Sequence, residues 1–475
     1  MKVAAIDQGT TSTRILLADG PDLSIQHSLI HPQSYPHPGW VEQDPETLLK
    51  NIRVCLETVG PVDRLGIANQ GESCLAWDRK TGETITAVIV WQDSRTRETT
   101  EKLKAEGAEH ITLERAGLPL DPYFSGSKLG WIINHIPRAQ GLLKTGDLCL
   151  GTTDSFFLFR LTGEFATDIT TASRTSLMNL KTGCWDPVLC DLFGVPLEAL
   201  PEIRPTTGSF GKVCIDNVEV PITANVVDQQ ASLYGHGCRT SGDVKVTFGT
   251  GAFALAVTGT TPIQTNDGGL LPTIAWQLGS NKPVYAIDGG VYNAGSALDW
   301  VRSLGLFSQF EDINTFQSDS AISRGLAFVP ALSGLGCPHW DWSATGLWIG
   351  LSLEHNAMDL VQAVLEGIAF RTAEVIESLE KSGPINKLSI DGGLSRNRYF
   401  VHFLADVLEK EVAIQSFDEL TAYGCALLAS TDKTLAQYIS GHTVIKPIKT
   451  SYTDDMQIAR QRFSDAISRS TSWKL

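Results

Sequence analysis

The apolar and polar positions of this chain alternate in two bursts that end alike. "KVAAIDQGTTSTRILLADG" carries β-type runs at residues 2–6 and 14–18, parted by a turn of Asp7, Gln8, Gly9, Thr10, Thr11 and Ser12. Near mid-chain, "DVKVTFGTGAFALAVTG" at 243–259 does the same: an alternating run enters Gly249-Thr250-Gly251 and leaves as a second apolar run. The echo implies two halves built alike, each aiming one turn at a shared ligand. A third run, "GIANQGESCLAWD" at 66–78, ends in Asn69, Gln70 and Glu72 around Gly71. It reads as the lip of a pocket that grips hydroxyls.

Between these runs the period changes from two to that of a helix. In "DPETLLKNIRVCLETVGP" Asp44 is the cap and Pro45 suits the first turn. Leu48, Ile52, Cys55, Leu56 and Val59 then form one stripe until Gly60-Pro61 stops it. "DLVQAVLEGIAFRTAEVIESLEKSGP" repeats the design, with Leu360, Val364, Ile368, Val375 and Leu379 on one face and Gly383-Pro384 as the stop. "KLSIDGGLSRNRYFVHFLADVL" predicts a strand, a Gly392-Gly393 turn and a helix capped by Ser395. The region after residue 432 carries no motif and is expected to form helices that pack back on the body. The glycine-rich "YGHGCRTSGD" at 234–243 is the natural boundary. The pattern therefore predicts two α/β domains, 1–240 and 241–475, meeting at a cleft.

Length agrees, because 475 residues exceed what one core organises. A net charge of −15 argues against nucleic-acid and anionic-membrane partners, whose binding surfaces are basic. Nine scattered cysteines, with no Cys-x-x-Cys and Cys184 and Cys190 as the closest pair, fit a reducing compartment. The start "MKVAAIDQGT" reaches Asp7 before any apolar stretch develops, so no secretory signal is expected. No run approaches the ~18 apolar residues of a membrane span. A soluble, cytoplasmic protein is the expectation.

The turns have two readings each. A strand that ends in Asp7 and continues Gly-Thr-Thr-Ser offers backbone N–H groups and hydroxyls to a phosphate, with Asp7 holding Mg²⁺ through waters and Arg14 reaching a phosphate oxygen. It could equally be a hairpin whose polar turn faces water. Walker A spacing is absent, and 249–251 does not match Gly-x-Gly-x-x-Gly. In "NVVDQQASLYG" Asp228 follows Val226-Val227 at a strand end, where a carboxylate can be a general base or a helix cap. Trp91 and Tyr123 stand beside polar neighbours, as sugar-binding walls require, or are ordinary packing. His31, His37, His236 and His402 lack ligand spacing and read as surface or packing residues. Cys337-Pro338-His339-Trp340 reads as structural, at a domain edge.

Taken together and in order, Asp-Gln-Gly-Thr-Thr-Ser, Gly-Trp-Val-Glu-Gln-Asp-Pro, Val-Trp-Gln-Asp-Ser-Arg-Thr, Tyr-Phe-Ser-Gly-Ser-Lys, Asp-Gln-Gln, Gly-Thr-Gly and Asp-Gly-Gly resemble the FGGY carbohydrate kinases. The resemblance runs from residue 2 to about 430 and is nearest to the glycerol kinases within that family. "YFSGSKLGWIINH" (123–135) and "GLWIGLSLEHNAMDLVQAVLE" (346–366) are similar to its diagnostic segments. It implies two domains of the actin/hexokinase, ribonuclease H-like type, closing over ATP, Mg²⁺ and a polyol. Asp7 and Asp228 would then be associated with the metal, and Thr10, Thr11, Ser12 and Arg14 with the nucleotide phosphates. Asp228 would be the catalytic base and Gln229 a polyol contact. Glu72, Trp91, Tyr123 and Phe253 would line the polyol pocket. Thr250 would approach the transferred phosphoryl, and Gly295, Asp299, Gly393 and Asn397 would border the nucleotide. A homodimer or a homotetramer is compatible with the family.

Three departures qualify the resemblance. Glycerol kinases carry an arginine where this chain has Gly71, which removes a charged donor and opens room for a longer polyol or ketose of erythritol, ribitol, xylulose or ribulose type. Asp299 replaces a glutamine beside the nucleotide. The segment "GKVCIDNVEVPITANV" is short and lacks the loop through which some bacterial relatives bind fructose 1,6-bisphosphate. A silent nucleotide-binding sensor would keep the fold, but it has no chemical need for Asp7, Thr10, Asp228 and Thr250 together.

Overall fold

Each alternating burst is a hairpin, and each hairpin seeds a sheet. The computed structural model describes residues 1–263, 269–430, 435, 441–448 and 453–473. In the first sheet β1 (Lys2–Gln8) pairs antiparallel with β2 (Ser12–Asp19), and β2 with β3 (Asp22–Ile30). On its other side β1 runs parallel to β4 (Arg64–Asn69), and β4 parallel to β6 (Val218–Val227). The strand β5 (Lys212–Ile215) closes that edge, giving the order β5-β6-β4-β1-β2-β3.

The second sheet repeats the plan. Its β7 (Asp243–Phe248) pairs antiparallel with β8 (Ala252–Gly259), and β8 with β10 (Val284–Val291). On the other side β7 runs parallel to β11 (Lys387–Gly392), and β11 to β12 (Val412–Gln415). Flanked by β9 (Leu271–Trp276) and β13 (His442–Ile445), the order is β9-β10-β8-β7-β11-β12-β13. Without the edge strands both sheets have three antiparallel strands followed by two parallel ones. The echo in the sequence is thus a duplicated topology, the ribonuclease H-like arrangement.

Strand alternation sorts the side chains of β1 between two layers. Ala4 and Ile6 join Leu48, Ile52, Cys55 and Leu56 of helix Pro45–Val59 on one face. That helix begins as expected, with the Asp44 carboxylate accepting from the N–H groups of Glu46 and Thr47. Val3 and Ala5 face the other way, onto helix Leu420–Ala429. This helix follows nearly all of the second sheet in sequence yet completes the core of the first. The contiguous division at residue 240 is therefore crossed by one helix. It lies against helix Asp228–Gly235, and a Cβ at Gly424 or Gly235 would run into the backbone carbonyl of Ala231 or Leu420 respectively.

In the second lobe, helix Ala357–Glu380 buries Val364, Ile368, Val375 and Leu379 as its stripe predicts, with Leu360 packed at the margin. The helix Arg398–Leu408 differs from expectation at its start. Its cap is Asn397, whose Oδ1 accepts from Phe400 N–H at 2.8 Å, not Ser395. The glycine turn continues as a 3₁₀ turn over Gly393–Arg396, which moves the helix start on, and Ser395 Oγ donates to Gly392 O at 2.7 Å. Beyond residue 432 the described chain contains strand β13 as well as helix Thr453–Ser470, which buries Phe463 and Ile467 in the second core. The remainder of that expectation falls on residues outside the described set. Cys337 and Trp340 are structural: the Cys337 carbonyl accepts from Arg371 Nη2 at 2.6 Å, and Trp340 Nε1 donates to Gly269 O at 2.7 Å. All nine cysteines are free thiols, and no helix among the described residues is long and apolar enough to cross a membrane.

The crossing of the two glycine-bearing helices gives a clean test of packing against propensity. Gly424→Ala raises intrinsic helix propensity by about 1 kcal/mol, yet it forces a methyl into a helix backbone, which costs about 1–3 kcal/mol or more in a filled core. Net destabilisation is expected, seen as a lower denaturation midpoint with an unchanged slope; a stabilised variant would contradict this packing.

Candidate active site

The parallel strands of the first sheet end in step. Gln8, Asn69 and Val227 are register partners, so Asp7, the Gly71-Glu72 bend and Asp228 leave the same edge of the sheet. This is where open α/β sheets hold their ligands, beyond the carboxyl ends of the strands. The turn after β1 is braced from behind: Gly9 N–H donates to Ser12 O at 3.0 Å, Gln43 Nε2 donates to Thr10 O at 2.6 Å, and His31 Nε2 lies 3.2 Å from the carbonyls of Gly9 and Thr10.

The lip at 66–78 is built differently from the sequence reading. Asn69 and Gln70 do not face the cavity. Asn69 Nδ2 donates to Gln70 O at 3.1 Å, while Gln70 Nε2 donates to Gln43 Oε1 at 2.8 Å and its Oε1 accepts from Ser73 Oγ at 3.2 Å. The amides hold the bend, and Gly71 and Glu72 line the cavity. Glu72 has φ 56°, a left-handed backbone that non-glycine residues rarely adopt and that concentrates at functional sites. Ser125 Oγ donates to its carbonyl at 2.8 Å and helps keep it there.

The cavity itself has a volume of about 180 Å³, below the roughly 300–1,000 Å³ of sites for drug-sized ligands. Three rings wall it. Trp91 lies 5.6 Å from Tyr123 and 6.3 Å from Phe253 between ring centres, both edge to face. Trp91 Nε1 donates to Thr10 Oγ1 at 3.1 Å, tying the wall to the first turn. Behind the rings the buried Lys128 Nζ donates to the carbonyls of Val90, Trp91 and Tyr123, each at 3.1 Å.

Opposite the rings the floor is charged. Arg174 Nε donates to Glu72 Oε1 at 2.6 Å and its Nη2 to Asp288 Oδ2 at 3.0 Å. Burial works against the Arg174 charge, but the two carboxylates more than offset it. Burial pushes Glu72 and Asp288 upward, and Arg174 opposes that rise. Lys245, also buried, donates to Gln229 Oε1 and, at 3.0 Å, to Thr247 Oγ1. Asp228 is pushed up to about 7, first by burial and then by the charges of Asp7 and Glu72. Asp7 is raised to about 6, again by burial first, with Arg14 opposing and Glu419 assisting.

A second cavity of about 460 Å³ adjoins the first, and Gly249 lines both. The Gly249-Thr250-Gly251 turn is therefore the partition. It is pinned by the start of helix Gly295–Ser303: Gly295 N–H donates to Gly249 O and Ser296 N–H to Thr250 O, both at 3.0 Å. A Cβ at Gly295 would sit 2.5 Å from Gly249 O, so only glycine allows this approach.

The predicted residues fall into these two spaces. Thr10, Glu72, Trp91 and Tyr123 line the smaller cavity, as do Asp228, Gln229, Thr250 and Phe253. Gly295, Asp299, Gly393 and Asn397 line the larger one. The Asn397 amide is occupied, donating to Ile313 O at 2.9 Å and capping its helix, so it shapes the wall. Thr11, Ser12, Arg14 and Asp7 line neither cavity, and Arg14 Nη1 pairs with Glu419 at 2.8 Å. Sequence reading missed Lys128, Arg174, Lys245 and Asp288. Asp288 left a signal, a lone charge in an otherwise apolar strand, and Lys245 a weaker one, a charge between two valines. Arg174 sits in "TTASRTSL", among small polar residues where no period marks it. Among the described residues no group of three or more His, Cys, Asp or Glu could hold a metal. Two aspartates with hard oxygens suit Mg²⁺, which binds through one or two carboxylates, waters and ligand phosphates.

This geometry, a duplicated ribonuclease H-like fold with a small ring-walled cavity beside a larger one, is that of a phosphotransferase cleft, and the chain belongs to the FGGY family of carbohydrate kinases. The family's N-terminal domain matches residues 2–235 and its C-terminal domain residues 244–432. Among its relatives, a glycerol kinase of Alkalilimnicola ehrlichii is 40% identical, covering 90% of this chain and 89% of that one. A glycerol kinase of Gluconobacter oxydans is 39% identical over 97% and 92%. A crystal structure of Plasmodium falciparum glycerol kinase with ADP superposes with a TM-score of 0.90 at 29% identity, covering 99% of this chain and 98% of that one. A xylulose kinase of Lactobacillus acidophilus, at 22% identity and a TM-score of 0.86, shares the fold.

The buried seat of Lys128 is testable without reference to activity. Lys128→Met removes the Nζ donor from the carbonyls of Trp91 and Tyr123, each buried acceptor so affected being worth about 1–3 kcal/mol, while Val90 O keeps the N–H of Asp93. A loss of at least ~2 kcal/mol in denaturant unfolding is expected, with a weakened near-ultraviolet signal from Trp91 and Tyr123; wild-type values for both would show that the wall does not depend on Lys128.

Proposed function

We propose that this protein is an ATP-dependent polyol kinase of glycerol-kinase type, moving the γ-phosphoryl of ATP to a primary hydroxyl of glycerol or a related small polyol. The observation that carries this reading is the shared wall. One glycine turn separates a small, ring-walled cavity with a carboxylate in it from a larger cavity bordered by Gly295, Asp299 and Gly393. The acceptor is then held mainly by the 1–240 half and the nucleotide by the 241–475 half. The likeness to glycerol kinases over nine-tenths of the chain supports the same acceptor class.

In this mechanism the acceptor hydroxyl packs against Trp91, Tyr123 and Phe253, and Asp228 takes its proton as the oxygen bonds to the γ-phosphorus. The bond from that phosphorus to the bridging oxygen breaks, and ADP leaves with the electron pair. Asp228 Oδ1 accepts Gln229 N–H at 2.6 Å, which fixes the carboxylate plane and leaves Oδ2 for the acceptor. Thr250, in the partition, meets the phosphoryl group in transit. Asp7 and Asp228 would hold Mg²⁺, which when bound neutralises phosphate charge. Such transfer rests on positioning and charge neutralisation in a site closed to water. Thr11, Ser12 and Arg14 then act at the rim of the phosphate turn.

One observation favours a second acceptor class. Gly71 leaves part of the cavity wall without a side chain, its nearest neighbour being Val227 Cγ1, 3.3 Å from where a Cβ would stand. Four- and five-carbon polyols or ketoses can use that space. ADP release with Mg-ATP across glycerol, dihydroxyacetone, erythritol, ribitol, xylulose and ribulose decides between them. Glycerol is expected to give the highest kcat/KM; a tenfold advantage for a longer acceptor would replace it, and no turnover on any would sink the kinase reading.

Asp228→Ala should lower kcat by about 10²–10⁴-fold, the usual worth of a positioned base, with ATP binding retained in calorimetry. The pH dependence follows from its raised pKa. A base must be ionised, so kcat/KM should fall as pH drops below about 7. The Lys245 charge lowers the Asp228 pKa, so Lys245→Met should move this limb to higher pH; a limb that stays or moves down would exclude Asp228 as the titrating group.

A further inference from the structure

Among the residues lining the smaller cavity, Arg174 is the only cation, and its guanidinium is not fully used. Nε and Nη2 are taken by Glu72 and Asp288. Nη1 is buried and has no hydrogen-bond partner among the described residues. The Tyr123 hydroxyl interacts with this guanidinium from the ring wall but makes no well-formed hydrogen bond to Nη1, and a buried charged donor left without a well-formed partner is costly. The side chain is 4% exposed, so solvent does not serve it. Both carboxylates that hold Arg174 also line the cavity, and each has a second oxygen, Glu72 Oε2 and Asp288 Oδ1, with no hydrogen bond from the described residues.

The three groups together form an incomplete hydrogen-bonding set, one donor flanked by two acceptors. Of the neighbouring donors, Trp91 Nε1 is committed to Thr10 and Gln230 Nε2 to Thr273 Oγ1 and Ile274 O, whereas Gln229, whose Oε1 is held by Lys245, keeps its neutral amide N–H groups for a ligand. A carboxylate ligand would meet Glu72, Asp228 and Asp288 in the same space against one guanidinium. A hydroxyl fits better, since it accepts from Nη1 and donates to a carboxylate oxygen at once. Gly71 puts no side chain of its own on the adjoining wall, where Val227 is the nearest group.

We propose that Arg174 is a specificity-determining residue of the acceptor site, its Nη1 donating to a non-reacting hydroxyl of a neutral polyol while Glu72 or Asp288 accepts from the same hydroxyl. The proposal rests on the polyol-kinase reading for its substrate, but its test does not depend on turnover. A fixed guanidinium fork already locked by two carboxylates reads hydroxyl position, which a mobile lysine would not.

The experiment compares glycerol with propane-1,2-diol and propane-1,3-diol, each of which lacks one hydroxyl. In the wild type, kcat/KM for one diol is expected to fall about 10–100-fold below glycerol, the worth of a hydrogen bond to a charged donor. In Arg174→Met that gap should shrink to within about threefold. A structural role would lower all three substrates by one factor and leave the gap intact, which overturns the proposal. So does a wild type that does not distinguish the diols. Arg174→Lys keeps a charge between the carboxylates and covers the case in which Arg174→Met does not fold; an undiminished gap there overturns the proposal too. Calorimetric binding of the same three compounds without nucleotide makes the comparison independent of catalysis. Absence of wild-type turnover with a binding gap that Arg174→Met abolishes would sink the kinase reading alone. Absence of glycerol binding to the wild type would sink the assignment of Arg174.

Discussion

Charge buried at the bottom of the cleft has to be matched by charge, and much of the site follows from how that is done. Arg174 stands between Glu72, on the bend after β4, and Asp288, on β10 of the other sheet. Removing one member of such a set leaves an uncompensated ion, at about 3–5 kcal/mol. The two lobes are thereby drawn together at one point, where Ser173 Oγ also meets Thr273 Oγ1 at 2.9 Å and Ile169 and Met178 pack on Ile274 and Tyr285. The same demand accounts for the unusual backbone of Glu72: the left-handed bend brings its carboxylate to the guanidinium.

The duplicated topology supplies the rest of the geometry. Each sheet releases a turn from the end of its first strand, and parallel neighbours release further segments from the same edge. In the first sheet these carry Glu72 and Asp228; in the second they carry Thr250 and Gly393. Two edges facing each other across one glycine turn enclose a small cavity and a larger one. The Asp228 carboxylate needs no elaborate support, because strand register already places it.

The sequence was most informative where a local rule acts alone. The hairpins, the Asp44-capped helix and the long buried helix at 357–380 follow from alternation, capping and stripe, and the structure contains them. Most of the residues expected from the family resemblance line the two cavities, because long motifs carry position as well as identity, while Asp7, Thr11, Ser12 and Arg14 of the first turn line neither. What stayed hidden depends on distant partners. Asn69 and Gln70 looked like pocket residues, but Gln43, 27 positions away, claims the Gln70 amide N–H, and Ser73 on the same bend claims its oxygen. Arg174 meets Asp288 across 114 positions, and no local pattern marks either as half of a pair. Ser395 was a plausible cap displaced by a 3₁₀ turn that its neighbours could equally have started as helix. Strand β13 is too short and polar to stand out, and exists because β12 offers it an open edge.

The helix at Leu420–Ala429 has a consequence for how the molecule is made. It covers the face of the first sheet formed by Val3, Ala5, Leu16, Ala68 and Val226, although the first lobe's own segment ends near residue 235. A ribosome adding about 5–20 residues per second needs on the order of 10–40 s to travel from there to residue 420. For that interval the nascent first lobe shows an uncovered apolar sheet, and its closure waits for almost the whole chain. Synthesis therefore delivers the two halves together: the first is sealed only after the second has been translated.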